Sequence, residues 1–256
     1  MGKQKKRLGI FSLTSCDGCQ ITFLDMDEDF LDLLDNYEVI DFPLIKDGTN
    51  LFEEVDIAFV EGTPVNDEEI KTLQKIRKLS KKLVAFGTCA TFGGVTAIKD
   101  FSDDKIKKEI KKDNEYLNLH DNIKGIGDIV KVDAYIRGCP PTKFEIKNLL
   151  QTFLDGKEIE HRKSPVCIEC RKNGNPCFLK EGIACMGSIT YSGCDSICIN
   201  NKFPCYGCRG PVEKANADSL FLVLKNKIGM NDKEVKNMFM LYAGTNKRYS
   251  NLIKNG

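Results

Sequence analysis

Val55-Asp56-Ile57-Ala58-Phe59-Val60, closed by Glu61-Gly62-Thr63-Pro64, is the stretch that decides the fold. An apolar run this short, with β-branched and aromatic residues and a turn behind it, predicts a buried strand. The next residues predict a helix. Asn66 caps it, Glu68 and Glu69 stand in its first turn, and Lys78 lies in its last. Leu73, Ile76 and Leu79 give residues 67–79 one apolar face. A second strand, Leu83-Val84-Ala85-Phe86, comes next and runs into Gly87-Thr88-Cys89. Strand, helix, strand is the unit from which parallel sheets are built.

The same rhythm extends outward. Leu8 to Leu13 and Tyr37 to Phe42 read as earlier strands, and Val130 to Ile136 as a later one. Thr142 starts a helix with Phe144, Ile146, Leu149, Leu150 and Phe153 as its apolar positions. Residues 1–155 thus read as an α/β domain around a parallel sheet. In such sheets ligands sit beyond the carboxyl ends of the strands. Three of the strand-end turns carry cysteine: Cys16 and Cys19, then Cys89, then Cys139. They are expected to converge on one site.

From 156 to 256 the character changes. Eight cysteines crowd into residues 167–208, in a stretch rich in Gly and Pro and poor in periodicity, before helical patterns return after Val212. A long segment without a core needs another source of order, and bound metal supplies it because binding energy becomes folding energy.

The bulk numbers narrow the classes. A net charge of +1 with 29% charged residues gives no basic field for nucleic acid. Lys3, Lys5, Lys6 and Arg7 read as a solvated start. No apolar run approaches the ~18 residues that a membrane span requires. Neither a secretory nor a twin-arginine leader is legible, so a cytoplasmic protein is expected. A reducing cytosol does not keep six disulfides, so twelve cysteines read as metal ligands. With only two histidines, His120 and His161, mixed Cys/His sites are disfavoured.

The cysteines fall into three sets. Cys16-x2-Cys19 with Cys89 and Cys139 is the first. Glycines at 18, 87, 93, 94 and 138 would let amides approach sulfur there. The competing reading is a thioredoxin-like pair with two unrelated cysteines. Cys167-x2-Cys170-x6-Cys177-x7-Cys185 is the second, and Cys194-x3-Cys198-x6-Cys205-x2-Cys208 the third. On spacing alone these eight thiols suit two structural zinc ions as well as two iron–sulfur clusters. Glu61 and Asp17 flank the first set. Both can be read as turn residues, and Glu61 is also a candidate for proton handling.

Together these motifs resemble the small subunit of [NiFe]-hydrogenases. The residues that carry the likeness are Cys16-x-x-Cys19, Glu61-Gly62, Gly87-Thr88-Cys89-Ala90, Arg137-Gly138-Cys139-Pro140, Cys185-Met186-Gly187-Ser188-Ile189-Thr190-Tyr191-Ser192-Gly193-Cys194 and Pro204-Cys205-Tyr206-Gly207-Cys208-Arg209-Gly210-Pro211. The resemblance implies a flavodoxin-like domain followed by a smaller, irregular cysteine-rich domain with C-terminal helices. It implies a proximal [4Fe-4S] cluster on Cys16, Cys19, Cys89 and Cys139. A distal cluster would take Cys167, Cys170, Cys177 and Cys185, and a medial one Cys194, Cys198, Cys205 and Cys208. Well-known periplasmic members have His where this chain has Cys167, and only three cysteines at the medial site. The absence of a leader and the all-cysteine ligation are similar to the cytoplasmic branch. The implied partners are a large subunit holding the nickel–iron centre and a downstream subunit carrying flavin or further clusters. A related quinone-reductase or carbon-monoxide-linked subunit, a flavin carrier and a zinc-stapled interaction subunit are the competing classes.

Overall fold

Residues 4–45, 53–157, 159 and 163–255 are described by a computed structural model of the chain. His161 and Lys3 lie outside them. Five strands form one sheet: β1 (Lys6–Ser12), β2 (Tyr37–Asp41), β3 (Val55–Glu61), β4 (Ser80–Phe86) and β5 (Ala134–Ile136). Every pairing is parallel, and the order is β2-β1-β3-β4-β5. This is the doubly wound, flavodoxin-like order, whose switch point lies between β1 and β3.

Both faces of the sheet are buried, which is why its strands read as continuous apolar runs rather than alternating ones. Leu8, Ile10, Ile57, Phe59, Val84 and Phe86 point to one face, and Phe11, Ala58, Val60, Leu83 and Ala85 to the other. Helices α1 (Gly18–Leu24), α2 (Glu28–Leu34) and α6 (Lys143–Leu154) supply residues to the first face; α3 (Asp67–Leu79) and α4 (Gly87–Phe92) supply the second. Exposed α5 (Asp104–Asp113) buries no residue. The Asn66 side chain accepts from the Glu69 amide at 2.9 Å, so the cap read from sequence is made. Thr142 caps α6 in the same way, through the Glu145 amide.

Two expectations are corrected. The last strand begins at Ala134, not at Val130. Asp133 is the reason: its Oδ2 accepts from the Leu83 amide at 2.8 Å and from Arg77, so a side chain takes the place of a ladder rung. Ile129, Val130 and Val132 instead pack onto the second core. Secondly, two of the sheet-edge cysteines sit in helical turns rather than loops. Cys19 lies in α1 and Cys89 in α4.

The chain divides into two compact units, Met1–Ile159 and Glu160–Gly256. The second contains α7 (Val166–Lys172), α8 (Ile197–Asn200), α9 (Ala217–Asn226), α10 (Asp232–Ala243) and α11 (Lys247–Asn255). Between α7 and α9 order comes from isolated bridges, Pro165 with Tyr191 and Thr190 with Pro211, and from turns. Among the described residues no helix is long and apolar enough to cross a membrane.

Phe23 is the centre of the first core. Its ring meets those of Phe30, Phe42, Phe59 and Phe86 edge-on at centroid distances of 6.4, 6.0, 5.1 and 5.3 Å. Phe23→Ala is expected to destabilise the fold by about 3–5 kcal/mol, read as a lowered thermal midpoint. An unchanged midpoint would contradict this account of the core.

Candidate metal centres

The first set of thiols is assembled at the carboxyl edge of the sheet by Glu61, the last residue of β3. Its side chain is only 1% exposed. Oε1 accepts from the Cys19 amide at 3.0 Å and Oε2 from the Gln20 amide at 3.1 Å. Those amides are among the first of α1 and have no partner within the helix. Burial pushes the Glu61 carboxyl above its ordinary value, against the lowering effect of the same two amides. Asp17 adds a second clamp. It adopts a left-handed backbone at φ 59°. Its Oδ1 accepts from Ser12 Oγ at 3.0 Å, Ser15 Oγ at 3.2 Å and Gln20 Nε2 at 2.9 Å. The Cys16–Cys19 turn is therefore held from both ends.

Cys89 and Cys139 arrive from the neighbouring strands. The Thr88 amide donates to the Gly138 carbonyl at 3.0 Å, tying the two segments together. A Cβ on Gly87 would stand 2.4 Å from Cys19 Sγ, and one on Gly94 2.6 Å from Cys89 Sγ. Both glycines have positive φ, +90° and +53°. The thiols thus occupy space that any other residue at either position would fill. Burial drives the Cys19 thiol far above its usual range, and Glu61, Cys89 and Cys139 add to the shift. Burial raises Cys89 as well, and Cys16 contributes. All four thiols of the set are thus near enough to act on one another.

In the second unit, α7 presents Cys167 and Cys170. The Val166 amide donates to Thr190 O at 2.9 Å, and that of Cys167 to Gly187 O at 3.2 Å. Burial pushes Cys167 up to about 11, with Cys185, Cys170 and Cys177 adding to the rise. That gathers the second set. In the third, burial pushes Cys194 up to about 11; Arg209 opposes the rise and Cys208 adds to it. Burial also lifts Cys205 well above a thiol's usual range, with Cys185, Cys208 and Cys194 all contributing. Cys198, on α8, bears on Cys185. The second and third sets meet at a seam through Cys185 and Cys205. That seam is laced. The Cys205 amide donates to Cys185 Sγ at 3.4 Å, and the Met186 amide to Cys205 O at 2.8 Å.

Three supports of these sets carry no clear mark in the sequence. Asp17 reads there as one of two flanking turn residues. Glu169 stands between two cysteines on α7, and its Oε1 accepts from the Gly193 amide at 2.8 Å. Arg209 follows Cys208; its Nε donates to Tyr191 O at 3.0 Å and Ser192 O at 3.1 Å, and it is 5% exposed. Adjacency to a cysteine is the only local signal for each. His120 instead pairs with Asp67 on the surface.

The twelve cysteines form no disulfides with one another. Among the described residues, no three His, Cys, Asp or Glu side chains close to the geometry of a single-ion site. The donor set is nonetheless one that suits iron–sulfur clusters: thiols alone, in three neighbourhoods, with glycines leaving room at sulfur.

Known proteins resemble this chain over most of its length. The family model described as NADH ubiquinone oxidoreductase, 20 Kd subunit, matches residues 16–153. Sulfhydrogenase 2 subunit delta of Pyrococcus furiosus is 34% identical, over 93% of this chain and 99% of its own. A vhu subunit of the F420-non-reducing hydrogenase of Methanocaldococcus jannaschii is 30% identical, over 82% of this chain and 83% of its own. Among solved structures, a chain of an NAD+-reducing [NiFe]-hydrogenase in the H2-reduced state superposes with a TM-score of 0.55 at 30% identity. That match covers 61% of this chain and 95% of the other.

Gly87→Ala tests the cradle. The left-handed backbone alone costs about 1–2 kcal/mol, and the new methyl collides with Cys19 Sγ. The variant is expected to lose iron at the first set while keeping it elsewhere, as read by metal analysis. Full iron content would refute the crowding argument.

Proposed function

The chain belongs to the small-subunit family of [NiFe]-hydrogenases and is a subunit of a hydrogenase, an oxidoreductase; from that premise we propose that it relays electrons by way of three [4Fe-4S] clusters. The relay runs in the cytoplasm, between the nickel–iron centre of a partner large subunit and a downstream subunit carrying flavin or further clusters. Cys16, Cys19, Cys89 and Cys139 hold the proximal cluster. Cys167, Cys170, Cys177 and Cys185 hold the distal one, and Cys194, Cys198, Cys205 and Cys208 the medial one. Residues 1–155 form the proximal domain and 156–256 the domain of the other two.

The observation that carries this reading is the convergence of four thiols from three strand ends on the carboxyl edge of a parallel sheet, with Gly87 leaving the space beside Cys19 open. When bound, each cluster supplies a centre that takes up and gives back one electron. The chain's own residues do the rest. Cysteine thiolates bind and Glu61 holds the Cys19 turn in register. Burial of Cys19, Cys170, Cys185 and Cys205 keeps water from the sulfurs. The Cys205 amide, directed at Cys185 Sγ, donates across the seam between two ligand sets. Such N–H···S contacts and the surrounding dielectric set reduction potentials.

Three [4Fe-4S] clusters predict about twelve iron and about twelve sulfide per chain, with negligible zinc, in anaerobically purified protein. About four iron with about two zinc would instead make the second unit a structural zinc module and end the relay reading. The purified single chain is expected to be inert toward hydrogen; hydrogen uptake by it alone would overturn the division of labour with a large subunit. Glu61→Gln separates two roles for that residue. Proton handling predicts lost turnover in the assembled enzyme with iron retained, whereas intact turnover leaves Glu61 as a holder of the turn.

A further inference from the structure

Spacing separates the second and third cysteine sets, yet the fold brings one ligand of each into direct contact. The Cys205 amide donates to Cys185 Sγ at 3.4 Å, and the Met186 amide donates back to Cys205 O at 2.8 Å. The last cysteine of the second set and the third cysteine of the third set are thus held by a reciprocal pair of hydrogen bonds. Met186 seals the contact. Its side chain is fully buried and packs on the Cys205–Cys208 turn at Gly207, where a Cβ would stand 3.3 Å from Met186 Cβ.

Gly187 lines the same junction. Its carbonyl accepts from the Cys167 amide at 3.2 Å. A Cβ there would lie 3.6 Å from Cys185 Sγ, 3.6 Å from Cys205 Cβ and 3.7 Å from Cys167 Sγ. These are ordinary contact distances, unlike the collision at Gly87, and the Gly187 backbone is not left-handed. One small side chain at 187 would therefore touch ligands of both sets without strain. Cys185 and Cys205 are buried as well, so little water reaches the junction. Charges interact strongly where water is excluded, and an amide aimed at sulfur is polarised more there than in solvent.

We propose that the second and third centres are joined at Cys185 Sγ into one coupled redox pair, which takes its second electron only at a lower potential than its first. This rests on the reading of these eight cysteines as cluster ligands. Each step adds one electron, drawn from hydrogen oxidised on the large subunit; no bond forms or breaks in this chain and no proton moves. An electron on either centre brings negative charge to the shared sulfur–amide contact. The dry junction screens that charge little, so it opposes a second one beside it. The opposition is reciprocal, and the potentials belong to the pair rather than to either centre. Such a pair carries electrons singly: a second is accepted readily only after the first has left.

The wild-type assembled enzyme is analysed first for iron, sulfide and zinc, and is then titrated with dithionite and followed by electron paramagnetic resonance. The expected result is an unsplit signal at the pair's first electron, giving way at lower potential to a mutually split one as both centres become reduced. Two signals that grow independently and stay unsplit would overturn the proposal. Gly187→Ala then tests the junction itself. It is expected to keep its full iron and to lower two midpoints together, because the methyl adds apolar surface at ligands of both sets. A shift of one midpoint alone, or of none, would overturn the shared junction. Loss of iron would also overturn it, by making Gly187 a steric requirement of a single cluster. Zinc in place of iron at residues 167–208 of the wild-type protein fails differently. It refutes the relay reading at the metal analysis, before any titration, and the proposal falls with it.

Discussion

The contact on which the first centre depends is between a carboxylate and two amides. Glu61 ends the central strand of the switch point, in register with Ser12 of β1 and Phe86 of β4. Its two oxygens take the Cys19 and Gln20 amides. One side chain thus fixes the height of α1 above the sheet edge and the direction in which the Cys16–Cys19 turn faces. Burying a carboxylate is expensive unless it is fully hydrogen-bonded. Here both oxygens are engaged by helix-start amides that would otherwise lack partners, so two desolvation costs cancel. The adjacent Gly62, at φ +83°, turns the chain away beneath the Thr14 and Leu13 carbonyls, where a Cβ would collide.

Burial works on the thiols in the same upward direction as on Glu61. A buried thiolate is unfavourable, and each gathered set makes it worse by setting anions side by side. The upward shifts of Cys19, Cys89, Cys167, Cys194 and Cys205 all carry that signature. Without metal these pockets hold neutral thiols; with it, proton release is coupled to binding. The same shell that penalises bare thiolates also sharpens every N–H···S contact, because low dielectric strengthens electrostatics in both directions.

Most of the first unit was legible because its signals are local. The apolar run at 55–60, the Asn66 cap and the Thr142 cap each depend on neighbours in sequence, and each appears in the structure. The parallel pairing followed from strand–helix alternation. The features that sequence missed are non-local. The start of β5 is decided by Asp133 reaching the Leu83 amide, fifty residues away in the chain. The helical seats of Cys19 and Cys89 escaped notice because α1 and α4 span only 7 and 6 residues, too short for periodicity to register. The cysteine sets themselves could be grouped by spacing and resemblance. Arg209 and Glu169 could not, because nothing local marks a side chain whose partner lies across a loop.

The two units also divide the sources of order. The first has a sheet buried on both faces and an aromatic core, none of which requires a metal. In the second, residues 163–211 contain only α7 and the four-residue α8, linked by turns and two isolated bridges. A segment so poor in regular structure cannot offset its chain entropy by apolar burial alone. Its ligands must supply the difference, as in small metal-ordered domains. The α9–α11 helices bring their own aromatic contacts and stand between these regimes. Metal loss should therefore loosen the cysteine-rich segment first. The parallel sheet would persist, because Glu61 can go on holding the Cys19 and Gln20 amides whether or not the thiols above them are occupied.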